Sequence, residues 1–115
     1  MNKQEVINKV HQYFIVEKHP QSIEVISGQC RYRNPVGNKC AIGCLIPDSI
    51  YTKDMEALTV KSLLNRYPDV SRTLNIQDED IEFLDALQRI HDKRFESFER
   101  ELKYICNIYA LEYPE

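Results

Sequence analysis

The stretch QCRYRNPVGNKCAIGC, residues 29–44, decides the fold that this sequence predicts. Inside it, Asn34-Pro35-Val36-Gly37 matches a type I turn, which favours Asn at the first position, Pro at the second and Gly at the fourth. With Gly37 in the left-handed region, the turn becomes a three-residue hairpin loop with a bulge. The sequence therefore predicts a β-hairpin whose two arms flank this turn.

The register of this hairpin would sort its side chains onto two faces. Pairing across the turn sets Arg33 opposite Lys39 and Tyr32 opposite Cys40, and opposed residues share a face. The first face is rich in thiols and apolar groups and consists of Cys30, Tyr32, Cys40, Ile42 and Cys44. The second face is basic and consists of Arg31, Arg33, Lys39 and Ala41. A slip of one residue would destroy this separation, which supports the register. The alternative is a helix beginning near Cys40, which also places Cys40 and Cys44 on one side.

Start and stop signals predict a helix on either side of the hairpin. Asn2 and Glu5 form a capping-box pattern, and apolar side chains follow at helical spacing until Lys18. Thr59 is a suitable N-cap for a short helix that closes at Tyr67, because the residue before a proline avoids the helical region.

The last third of the chain has the longest helical pattern. Apolar side chains recur at steps of three or four over residues 81–109, after an acidic start at 78–80 that suits a helix N-terminus. One helix of this length would span much of a small domain, so we expect two helices broken near residues 91–93. With residues 23–26 as an optional third strand, the predicted fold is α+β: a small antiparallel β-hairpin packed against four or five α-helices.

Composition and length favour one ordinary globular domain. The 115 residues suit a single domain spanning 1–115, and 43% hydrophobic with 29% charged residues argues against disorder. No apolar run approaches the roughly 18 residues of a membrane span, and residues 1–18 lack the apolar core of a signal peptide. We therefore expect a cytoplasmic protein that binds no membrane and keeps its thiols reduced.

The charge is unevenly distributed along the chain. Residues 1–77 carry 10 basic and 7 acidic side chains, whereas residues 78–115 carry 5 and 11. Such asymmetry favours a charged partner or the pairing of two copies in a homodimer. The net charge of −3 argues against non-specific nucleic-acid binding, which depends on a basic surface.

A motif match accompanies these patterns. Residues 30–48, CRYRNPVGNKCAIGCLIPD, fit the core C-x-Y-R-x-P-x-G-x-x-C-A-x-G-x-L-I-P-D, followed by Tyr51, Met55-Glu56 and an L-Q-x-x-H-D string at 87–92. The chain thereby resembles a family of small uncharacterised bacterial and phage proteins over most of its length. The resemblance implies a bacterial or phage cytosolic origin and brings no activity with it, so the candidate site rests on the residues themselves.

The basic face supplies the first candidate site. Arg31 and Arg33 lie two apart on a strand, so they would point the same way and could hold carboxylates or phosphates with paired donors. The predicted binding residues are Arg31, Tyr32, Arg33, Asn34 and Lys39. We expect a small accessory protein that binds a protein partner or an anionic ligand through the 28–48 surface, without a cofactor. The competing account pairs these arginines with the acidic segment 78–85.

A cysteine-dependent enzyme is the alternative function. Cys40 would be the nucleophile, His91 its base and Asp92 the group that orients the base. Lys39 would favour the thiolate. Against this, a His-Asp pair at a helix end commonly has a structural role, and we lean against an enzyme.

A zinc-stabilised module is the third possibility. Cys30, Cys40, Cys44 and His91 could supply three sulfur ligands and one nitrogen ligand. Their spacing lacks the close C-x2-C pair of typical zinc sites, and free cysteines often act as small buried hydrophobes. We therefore expect core thiols without a metal.

Overall fold

The computed structural model describes residues 1–24 and 27–114. Five α-helices form within these ranges: α1 Lys3–His11, α2 Val60–Arg66, α3 Pro68–Leu74, α4 Ile81–Lys93 and α5 Phe98–Ile108. Shorter helical turns join them: a π-helical turn at Gln12–Val16 and 3-10 turns at Lys53–Met55, Asp78–Asp80 and Phe95–Ser97. Each of these helices is too short or too polar to cross a membrane.

Helices α1 and α2 begin at the predicted caps. The Asn2 side chain accepts a hydrogen bond from the Glu5 amide at 2.8 Å, and the Glu5 carboxylate accepts one from the Asn2 amide at 2.9 Å. The helical stretch from α1 ends before Lys18, whose backbone is left-handed with a φ of 57°. At α2, the Thr59 hydroxyl accepts a hydrogen bond from the Ser62 amide at 3.1 Å. Both cap predictions are confirmed.

The C-terminal helical pattern is broken as expected. Helix α4 ends at Lys93, and Arg94 leaves the helical conformation with φ and ψ of −138° and 35° before the turn that leads into α5. The two helices pack on each other, and Phe14 of the π-helical turn after α1 meets Phe98 of α5 with ring centroids 4.8 Å apart. The buried apolar faces of the five helices and the buried side chains of residues 40–46 form the core.

The predicted α+β fold is wrong, because the structure is helical and no strand forms in the described residues. The turn itself is present: the Gly37 amide donates to the Asn34 carbonyl at 3.0 Å, and Gly37 has a φ of 94°. Arg33 and Lys39 pair across it as expected, but only as an isolated bridge. In the optional third strand, Ile23 makes another isolated bridge, and residues 25–26 lie outside the described residues.

The hairpin stops after one pair because its next donors and acceptors are used elsewhere. The Cys40 amide still donates to the Tyr32 carbonyl at 3.1 Å. The Tyr32 amide donates to the Glu56 carboxylate at 2.9 Å, and the Cys40 carbonyl accepts from the Cys44 amide at 2.9 Å. An antiparallel pair exchanges both hydrogen bonds, so the ladder cannot continue.

The second arm therefore coils into helical turns over residues 40–46, close to the alternative that began a helix near Cys40. Gly43 lies directly against the first arm, since a Cβ added to it would be 2.0 Å from the Tyr32 carbonyl oxygen. Coiling also changes the two predicted faces. Cys40 and Cys44 are buried as expected, but Ala41, which was predicted on the basic face, is buried too.

Candidate functional site

A cavity of about 590 Å³ opens between the turn at 34–37 and the segment 48–56. Among the described residues, its wall carries four cationic side chains and three carboxylates: Arg31, Arg33, Lys39 and Lys53, with Glu24, Asp48 and Glu56. The cavity brings together four of the five predicted binding residues, Arg31, Arg33, Asn34 and Lys39. The fifth, Tyr32, is buried and lines a different cavity.

Arg33 is anchored in the wall rather than solvated. Its side chain is 15% exposed, and its guanidinium donates to the Ile46 carbonyl at 2.6 Å and pairs with Asp48 at 2.7 Å. The guanidinium carbon also lies 4.6 Å from the centre of the Tyr51 ring, within the range of a cation–π contact. These contacts fix the charge of Arg33 at the cavity.

Arg31 lies on the same wall with a more accessible side chain. It pairs with Glu24, and about a third of the side chain is exposed. The competing account of these arginines is not what the structure shows, because the acidic segment 78–85 has other partners. Asp80 pairs with Lys3, and Asp85 pairs with Arg89.

The two lysines complete the positive side of the cavity. The Lys39 ammonium is 3.6 Å from Asp48, which also contacts Arg33 and is 82% exposed. The charge of Lys39, together with the Arg33 guanidinium, lowers the pKa of Asp48. Within the described part of the chain, Lys53 makes no ion pair. Its charge is therefore available to a ligand.

Glu56 binds the backbone at Tyr32 and Arg33, directly after Arg31. Its two carboxylate oxygens accept the Tyr32 amide at 2.9 Å and the Arg33 amide at 3.1 Å, and it also accepts the Tyr51 hydroxyl. Burial, and then the bond to Glu56, raises the pKa of Tyr51. Sequence reasoning missed Tyr51 and Glu56 as site residues, and their presence in the string that follows the 30–48 motif was the only available signal.

Asn34 has a structural role in the rim of the cavity. Its side-chain oxygen accepts the Asn38 amide at 2.8 Å, and its side-chain nitrogen donates to the Ile23 carbonyl at 3.1 Å. Both ends of the amide are therefore occupied in shaping the turn. The donors that a ligand could use in this cavity are therefore those of the arginines and lysines.

The proposed catalytic set does not form a nucleophile–base pair. Cys40 is fully buried, its sulfur accepts the Gly43 amide at 3.2 Å, and burial raises its pKa. His91 Nε2 is 3.1 Å from the Ser22 amide, which can only donate, so the proton of the neutral ring lies on Nδ1. That proton points to the Asp92 carboxylate at 2.7 Å. No lone pair of His91 is left to accept a proton from a thiol.

The proposed zinc set is also separated. The sulfur of Cys30, a ring nitrogen of His91 and a carboxylate oxygen of Asp92 lie within 4.8 Å of one another, whereas Cys40 and Cys44 are not part of this group. A metal on Nδ1 would leave Nε2 accepting the Ser22 amide, which requires an anionic ring. Burial raises the pKa of the Cys30 thiol to about 11, which further opposes thiolate ligation. These residues fit hydrogen bonding better than metal binding.

Comparison of the chain with known protein families, curated proteins and solved structures finds no match. The chemistry of the site therefore rests on its own geometry. The most informative part of that geometry is the cavity in which two arginines and two lysines converge.

Proposed function

We propose that the chain binds an anionic ligand, through a carboxylate or phosphate group, in the cavity lined by Arg31, Arg33, Lys39 and Lys53. The observation that carries this proposal is the excess of cations over carboxylates in that cavity, in a chain whose net charge is −3. Guanidinium groups bind both oxyanions with paired, planar donors. The motif resemblance supports the further proposal that this is an accessory protein of a bacterium or a phage.

Asp48 suggests how the ligand enters. Its exposed carboxylate already bridges Arg33 and Lys39, so it occupies the position that an external oxyanion would take. Exposed ion pairs contribute little to stability because water and salt screen them. We propose that the ligand displaces Asp48 and gains Arg31 and Lys53 as additional cationic neighbours.

Lys53→Gln tests this proposal without removing a structural contact. The wild-type protein is titrated with inorganic phosphate and with acetate at low ionic strength, and amide shifts are followed by NMR. We expect saturable shifts in residues 31–39 and 48–56. Loss of one cationic neighbour should weaken phosphate binding by about fivefold.

Lys61→Gln is the matched control, since it makes the same charge change at an exposed position of α2 outside the cavity. It should leave phosphate affinity unchanged, and sodium chloride at equal ionic strength should not reproduce the shifts. The proposal fails if neither anion produces saturable shifts. It also fails if Lys53→Gln and Lys61→Gln weaken binding equally, because the effect is then one of net charge.

A further inference from the structure

We infer that the ligand is a zwitterion whose cationic end occupies a second cavity beside the first. This inference rests on the proposed function. The second cavity measures about 320 Å³, and Arg31 and Glu56 line both cavities. The two cavities therefore share a wall, and the proposed ligand extends past these two side chains from one cavity into the other.

The second cavity has the opposite charge balance from the first. Among the described residues, three carboxylates and one cation line it: Glu56, Asp85 and Asp92, with Arg31. Glu56 is already occupied by backbone amides and the Tyr51 hydroxyl. The carboxylates available to a ligand are therefore those of Asp85 and Asp92.

Asp92 carries a charge that the described residues do not neutralise. One oxygen accepts His91 Nδ1 at 2.7 Å and the Gln88 amide nitrogen at 2.8 Å, and both donors are uncharged. No lysine or arginine pairs with it in the described ranges. After burial, the charge of Asp92 is the next cause that raises the pKa of Cys30, on the wall of this cavity. An ammonium or guanidinium group would be stabilised here.

Asp85 is the more accessible of the two carboxylates. It pairs with Arg89 one helical turn away at 2.8 Å, and both side chains are at least half exposed. Such a pair contributes little and can exchange its partner at little cost. A cationic group entering the cavity can therefore engage Asp85 without breaking the core.

The adjacent opposite charges give the pair of cavities a direction. A simple anion would fill the basic cavity and leave the acidic one to water. A molecule with both charges would satisfy both cavities, and in the reversed orientation it would meet like charges in each. Complementary charge of this kind selects among ligands more than it raises affinity for all of them.

Matched ligand pairs test the inference by isothermal titration calorimetry. Hexanoate is compared with 6-aminohexanoate, and ethyl phosphate with O-phosphoethanolamine, so that each pair differs by one ammonium group and the two zwitterions differ in charge spacing. We expect at least one zwitterion to bind about fivefold tighter than its anion. Hexylammonium alone should bind more weakly than 6-aminohexanoate.

Asp85→Asn should reduce this preference while leaving the affinity for the simple anion unchanged. Asp69→Asn is the control. Like Asp85, Asp69 is an exposed carboxylate that pairs with an arginine of its own helix, here Arg72 in α3, but it lines neither cavity. Asp92→Asn should also reduce the preference. If that variant unfolds, Asp85→Asn decides alone.

The outcomes separate this inference from the proposed function. If the anions bind and neither zwitterion is preferred, the zwitterion inference is overturned and anion binding stands. A preference that is as large in Asp85→Asn as in the wild type also overturns it, because the second cavity is then not the source. If no anion and no zwitterion binds, both proposals fall.

Discussion

Arg33→Ala should destabilise the protein, although an arginine beside a turn is ordinarily dispensable. The double replacement of Arg31 and Arg33 would be almost neutral if both were solvated on an outer face. The structure instead gives Arg33 three contacts: the Ile46 carbonyl at 2.6 Å, Asp48 at 2.7 Å and the Tyr51 ring at 4.6 Å. Alanine at position 33 removes all three contacts and leaves the carbonyl of the buried Ile46 without the guanidinium donor.

The size of the effect follows from these contacts. A hydrogen bond from a charged donor contributes about 1.5–3 kcal/mol, and the partly buried contact between Arg33 and the Tyr51 ring adds about 1 kcal/mol. The pair with the exposed Asp48 adds little. We therefore expect the free energy of unfolding to fall by about 3 kcal/mol, a large part of the 5–15 kcal/mol typical of a domain.

Urea denaturation followed by circular dichroism measures this loss. Arg33→Lys should recover little of it, because one ammonium group cannot donate to the carbonyl, pair with the carboxylate and stack on the ring together. Arg72→Ala is the control, since Arg72 makes only an exposed pair with Asp69, and it should cost about 0.5 kcal/mol or less. If Arg33→Ala costs no more than Arg72→Ala, the anchored position of Arg33 is refuted.

Two further predictions concern the turns and the buried thiols. Gly43→Ala should lower the free energy of unfolding in urea by about 3 kcal/mol or more, because the new Cβ would lie 2.0 Å from the Tyr32 carbonyl oxygen. Gly28→Ala should lower it by only about 1–2 kcal/mol, because a Cβ there meets no atom within 4 Å and the cost comes from the φ of 71° alone. Burial raises the pKa of Cys44 to about 12 and also raises that of Cys40, so above about pH 8.5 the unfolded thiols lose protons that the folded thiols keep. The free energy of unfolding should therefore fall with rising pH, with these two thiols contributing up to about 2.7 kcal/mol per pH unit, and Cys40→Ala should halve their contribution. An unchanged slope in Cys40→Ala would contradict this account.

Local signals predicted the helices well. The Asn2–Glu5 box and the Thr59 cap act within three residues, so the sequence contains both partners of each hydrogen bond side by side. The break after α4 was visible for a similar reason, because the length of the apolar pattern exceeded what a small domain accommodates. Such features depend on neighbours along the chain and not on the tertiary fold.

The site was only partly visible in the sequence. The turn and the basic residues around it pointed to Arg31, Arg33 and Lys39, which do line one cavity. Glu24 and Lys53 carried no pattern that would place them there. Their position depends on how the flanking segments cross the turn, and charge counting cannot supply that information.

The failed hairpin and the candidate site have one physical cause in Glu56. The hairpin prediction used only the residues beside the turn, and in its register the Tyr32 amide donates to the Cys40 carbonyl. A carboxylate 24 residues along the chain accepts the Tyr32 amide instead, and it also accepts the next amide, that of Arg33. The carboxylate that ends the ladder therefore also holds the backbone from Tyr32 to Arg33, next to Arg31, at the junction of the two cavities. Because a charged acceptor binds an amide more strongly than a neutral carbonyl does, the long-range partner prevails over the local one.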